Sequence, residues 1–272
     1  MEKALSSLPD YENPPVSEVV FGIQFKELAK LQVPHIGAFW ERIGRVEFPE
    51  CQEMPPLPHI VEDYDKLPHR SAILSIEKFD RPPLPRIFFI SKEKNRLIQV
   101  QRDRLLQNWR KLEVGAEYPR YDCLFPQFVE LWRVFSDFVK GLSVGSLEPD
   151  QYELTYVNHI AKGDGWEDWR DIERIFPDIQ CKVEGHFLPV PQEITWHRTY
   201  GFPNDSGRLH VFMQHALAQE MKQEVLVLNL TARGFSSNDM GGWFDMAHEW
   251  IVRGFTDLTG PEIQKSIWKR KR

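Results

Sequence analysis

Cysteine is scarce in this sequence: Cys51, Cys123 and Cys181 are far apart and odd in number. That count excludes a disulfide framework and a cysteine-based zinc knuckle, and it predicts a reducing compartment. Long apolar runs are also missing. None approaches a membrane span, and the opening MEKALSSLPDYENPP has none of signal-peptide length. The expectation is a cytoplasmic protein with no membrane partner. Nor is there an excess of positive charge: 34 Lys and Arg against 40 Asp and Glu leave a net charge of −6. A generally basic nucleic-acid coat is therefore excluded, while a local basic patch is not.

The usual chemical signatures are absent too. There is no G-x-x-x-x-G-K-S/T loop, no G-x-G-x-x-G after a strand and no G-x-S-x-G elbow. His210 and His215 are five apart on a predicted strand, so they face opposite ways, and His248-Glu249 lacks the second histidine of a helical H-E-x-x-H site. Cys123 and Cys181 have no neighbour that would lower a thiol pKa. Carboxylate pairs such as Glu167-Asp168 fall where a solvated helix face would put them. No catalytic residue, metal site or cofactor is expected, and the reading is of a non-enzymatic protein.

What is present is a core. The chain has 272 residues, 42% of them hydrophobic, with nine Trp and 18 Phe, enough for one large domain or two ordinary ones. Strand patterns occur at 18–25, 71–79, 86–93 and 96–105, and again at 152–160, 193–202, 208–217 and 224–233. Helical spacing occurs at 35–48, 122–142, 166–176 and 241–258. Residues 49–68 are proline-studded and read as a loop. The order β-α-β-β-β-α thus recurs, and Phe48-Pro49-Glu50 and Phe176-Pro177-Asp178 occupy matching places. The expected fold is α+β: two tandem diverged β-α-β-β-β-α units, 1–146 and 147–272, helix-grip or TATA-binding-protein-like. Each antiparallel sheet would be covered by a long helix, and the two units would join edge to edge into one long sheet or pack face to face.

Three functional readings follow. Stiff proline segments such as Pro14-Pro15 suit docking on a protein partner; an adaptor is the first reading. A nucleic-acid binder is the second: Arg102, Arg104, Trp109, Arg110 and Lys111 mix cations with an aromatic, and Lys269, Arg270, Lys271 and Arg272 add a basic tail. The third is a small ligand held between sheet and closing helix.

The motifs YENPPVSEVVFGIQF, LIQVQRDRLLQNWRK with YPRY (118–121), LTYVN (154–158) and GFTDLT (254–259) resemble a sporadically distributed family of uncharacterised bacterial proteins of about this length. The resemblance implies a bacterial or phage-related origin and, from the family's scattered occurrence, a setting in a defence or toxin–antitoxin locus. It supplies no activity or cofactor. Pro14, Pro15, Glu18, Asn108, Trp109, Arg110, Tyr121 and Asn158 match its motifs. Of these, Pro14, Pro15, Glu18, Trp109, Arg110 and Tyr121 are the candidate partner-binding residues.

Overall fold

A computed structural model describes residues 7–64, 84–113, 116–181, 185, 187–218, 223–235 and 239–271. The strand expected at 71–79 lies outside them.

The β1 strand, Val16–Phe25, follows the Pro14-Pro15 entry; its Val19, Phe21, Ile23 and Phe25 alternate onto one face and are buried. Next come α1 (Val33–Ile43), β2 (Glu50–Met54), β3 (Arg86–Ile90), β4 (Arg96–Gln101), β5 (Arg104–Arg110) and α2 (Tyr121–Leu142). The chain continues through β6 (Pro149–Ala161), α3 (Ile172–Ile175), β7 (Trp196–Gly201), β8 (Arg208–Ala218), β9 (Gln223–Phe235), α4 (Met240–Leu258) and α5 (Pro261–Ser266). Asp239 starts α4 by accepting the Gly242 amide at 2.9 Å.

These strands do not make two sheets. They form one nine-stranded antiparallel sheet in the order β2-β3-β4-β5-β1-β6-β9-β8-β7, which overturns the two tandem helix-grip units. The physical reason is edge satisfaction. In the expected arrangement β1 and β6 would each open the sheet of its own helix-covered unit. Instead they pair with each other from Val16 to Phe25, and β5 and β9 take their remaining edges. Two local departures add to this. The run 96–105 is a hairpin turning at Arg102-Asp103, and the expected loop at 49–68 contains the polar strand β2, paired to β3.

The long helices α2 and α4 lie on one face of the sheet. Phe21, 1% exposed, meets Tyr121, Phe125 and Phe128 of α2 and Phe244 of α4. The opposite face is crossed by an extended strap, 57–62, fastened by glutamines. Gln101 exchanges hydrogen bonds with Leu57, Gln24 and Gln151 both donate to the Ile60 carbonyl, and Gln151 accepts the Glu62 amide. Glu62 then reaches Arg208 and His210 on β8, at 3.1 and 2.6 Å. Three buried amides, on β4, β1 and β6, are thus accounted for by backbone groups of the strap.

Because Phe21 sits where both long helices meet the β1–β6 pair, Phe21→Ala is expected to cost about 3–5 kcal/mol. Urea unfolding followed by far-UV circular dichroism and by tryptophan fluorescence should show one shared transition, moved to lower urea. Two separated transitions would mean that the halves unfold independently.

Candidate functional site

A cleft of about 680 Å³ opens between the N-terminal segment, the start of α2, strand β6 and helix α4. Its walls come from three local rules. Along β6, Tyr156 and Asn158 alternate onto the helix-bearing face. Along α4, Asp245, His248, Glu249 and Val252 follow i, i+3, i+4, i+7 spacing and share one face. At the entrance to α2, Arg120 has φ 70° and ψ 159°, a conformation held almost only by glycine. This turn delivers Tyr121 and Asp122 to the cleft in the first turn of the helix.

An aromatic column stands in the wall. The Tyr121 ring lies parallel to the His248 imidazole, with centroids 4.1 Å apart and planes 4° apart, and Phe125 stacks on Tyr121 at 5.2 Å. The Tyr121 hydroxyl donates to Asp245 Oδ1 at 2.9 Å. The hydroxyls of Tyr118 and Tyr156 share a hydrogen bond of 2.8 Å, so one of the two protons is left to point elsewhere. Arg120 donates to the Tyr11 carbonyl at 2.7 Å and pairs with Asp10 at 3.4 Å.

Burial sets the protonation states. It pushes His248 down to about 4, against the pull of the Asp122, Asp245 and Glu249 carboxylates, so the imidazole is neutral at pH 7. Burial also raises the phenols of Tyr118, Tyr121 and Tyr156, and Asp245 raises Tyr121 further; all three stay protonated. Perturbed groups gathered in a cleft make it a candidate functional site. Two polar groups there are unmet. Asn158, only 2% exposed, donates Nδ2 to the Leu228 carbonyl at 3.1 Å but leaves Oδ1 without a partner among the described residues. His248 likewise makes no hydrogen bond among them.

The residues singled out from sequence scatter. Pro14 and Tyr121 line this cleft, while Pro14, Pro15 and Lys111 line a neighbouring one of about 1140 Å³. Glu18 lies on the face crossed by the 57–62 strap, accepts from Asn108 at 2.6 Å, and has its carboxyl pushed up by burial. Trp109 is 7% exposed and packs on Tyr118, whereas Arg110 turns to the other face and donates to the Lys94 carbonyl at 2.9 Å. Arg104, also 7% exposed, holds the strap through the Pro58 carbonyl at 2.6 Å. Arg102 donates to the Leu31 carbonyl at 3.1 Å. Lys269 pairs with Glu12, Arg270 donates to Gln264, and the Lys271 amide bonds the Asp10 carbonyl; Arg272 lies outside the described residues. The structure therefore does not bring the Arg and Trp residues onto one surface.

His248, Asp245, Asp122, Tyr118 and Tyr156 were not singled out from sequence as site residues. Their signals were Y-P-R-Y-D at a helix start and Asp-x-x-His on one helix face, both too short to stand alone. Among the described residues no group of three or more His, Cys, Asp and Glu could hold a metal ion, and no helix is long and apolar enough to cross a membrane. Comparison with protein-family models, curated proteins and solved structures finds no match to this chain.

Both Arg120→Ala and Arg120→Gly remove the guanidinium, but only glycine relieves the backbone. Arg120→Gly is expected to be the more stable of the two by about 1 kcal/mol in chemical denaturation; equal stability would remove the strain from the account.

The unfolded chain protonates His248 near its ordinary pH of about 6.5, whereas the folded chain does so only near 4. Stability is accordingly lost as pH falls through that window, on the order of 2–3 kcal/mol when complete. His248→Phe keeps a ring in the stack and removes this loss. Its stability relative to the natural chain should rise between pH 7 and 4, and parallel pH curves would contradict the assignment.

Proposed function

We infer that this protein is a non-enzymatic binding protein whose cleft between β6, α2 and α4 takes a small molecule or an inserted side chain. One observation carries the reading: a nearly fully buried asparagine keeps an unpaired carbonyl oxygen in a cleft of ligand size. The oxygen is not sealed from solvent, so a ligand donor entering the cleft would meet an acceptor already facing it. The volume falls within the range of small-molecule sites, and an apolar wall with a few convergent polar groups is their usual composition.

Recognition of a protein partner is favoured by a separate observation. Pro14 borders both clefts, and the second is walled by the Pro14-Pro15 segment, Lys111 and Trp268. A partner segment lying along Pro14-Pro15 would reach both. The nucleic-acid reading has less support, because Trp109 is buried and Arg104 is committed to the strap.

The test is a fragment screen of the full chain by protein-observed NMR, with Asn158→Leu alongside. Binders are expected to shift Tyr121, Asn158 and His248 together, and to lose about tenfold or more in affinity in the variant. A screen in which no fragment shifts these residues would remove the reading.

A further inference from the structure

The charges of the cleft limit what it can take. Its lining holds the carboxylates of Asp10, Asp122, Asp245 and Glu249 against the guanidiniums of Arg120 and Arg253. Both guanidiniums are already engaged, Arg120 with Asp10 at 3.4 Å and Arg253 with Glu249 at 2.7 Å. Asp122 and Asp245 are both exposed at the mouth of the cleft; Asp122 makes neither an ion pair nor a hydrogen bond among the described residues, and Asp245 receives the Tyr121 hydroxyl on one oxygen only. The neutral imidazole of His248 adds no positive charge. At the floor, the Asn158 oxygen is an acceptor without a donor, and that residue is 2% exposed.

We propose that the cleft binds an organic cation, an ammonium or guanidinium group carried on an aromatic or aliphatic body, with Asp122 and Asp245 facing the charge and Asn158 Oδ1 accepting one of its protons. The proposal rests on the cleft being the ligand site. An ammonium alone would leave most of about 680 Å³ unfilled, so the cation needs a body to lie along the Tyr118, Tyr156 and Phe255 side. Aromatic rings suit this chemistry, since their faces attract cations when water is excluded. The competing class is an anion at the N-terminus of α2. There, however, Asp122 already sits in the first turn, where a carboxylate satisfies the positive end of the helix dipole from within the chain. An incoming anion would meet that charge and the Asp245 charge together.

Two sources supply the same chemistry, a free amine and the basic side chain of a peptide. Calorimetry on the full chain at low salt separates them and tests the class. The probes are phenethylammonium, its neutral counterpart 2-phenylethanol, its anionic counterpart 3-phenylpropionate, and a capped Gly-Lys-Gly peptide. Phenethylammonium is expected to bind about tenfold or more tightly than the alcohol. Asp122→Asn should weaken the ammonium about five- to tenfold and leave the alcohol unchanged. The same charge change at Glu130→Gln, on the exposed side of α2 and paired with Arg133, should alter neither. Tighter binding of the capped peptide assigns the side-chain source, and tighter binding of phenethylammonium assigns the free amine. Equal or tighter binding of the propionate overturns the proposal, as does an ammonium affinity indifferent to Asp122→Asn. If the alcohol binds as well as the ammonium and both are lost in Asn158→Leu, the cleft remains a ligand site while the cation assignment falls. If none of the probes binds, the cation assignment also falls, and the fragment screen decides the cleft separately.

Discussion

The antiparallel pairing of β1 with β6 is the constraint on which the rest of this structure depends. Either strand alone would expose a row of backbone donors and acceptors along one edge. Joined, they become the centre of one sheet, with β5 and β9 outside them. That junction puts Phe21, Leu154 and Tyr156 side by side on one face. Both long helices have to cover this apolar strip, α2 from the first half of the chain and α4 from the second.

The cleft is a by-product of that covering that the chain has furnished with polar groups. Where α2 begins and α4 passes over β6 a space is left, and a tyrosine–histidine stack bridges the two helices. The stack lies between two helices with different origins in the sequence, so it reports directly on how they are docked. Low exposure then keeps the imidazole neutral beside three carboxylates, an arrangement that water would reverse. Asn158 remains the one nearly buried acceptor there without a partner among the described residues. The strained turn at Arg120 belongs to the same design: an unfavourable backbone is tolerated at the point that delivers Tyr121 and Asp122 to the site.

Individual elements were legible in the sequence to a useful degree. The four-and-three spacing of Leu124, Phe128, Leu131 and Phe135 marks α2, and the alternation in 152–160 marks β6. The arrangement of the sheet was not legible, since periodicity tells which face of a strand is buried but not which strand lies at its edge. The turn at Arg102-Asp103 lacks the glycine or asparagine that signals a tight hairpin, and β2 is too polar, Glu50-Cys51-Gln52-Glu53, to read as a strand. Trp109 looked like a stacking platform because arginines surround it in sequence. Strand alternation instead sends the tryptophan and Arg110 to opposite faces. The cleft escaped for a related reason: its parts come from positions 118–122, 156–158 and 245–253, which only the β1–β6 junction brings together.

The most direct test of this account is the titration of the His248 ring by NMR in the free protein, following its Cε1 carbon from pH 7.5 downward. Closure of α2 and α4 over the β1–β6 junction predicts a ring that stays neutral through pH 5 and titrates with a midpoint near 4. A midpoint near the ordinary histidine value of about 6.5 would mean that burial does not outweigh the Asp122, Asp245 and Glu249 carboxylates at this ring, and would contradict the packing of α2 and α4 around it.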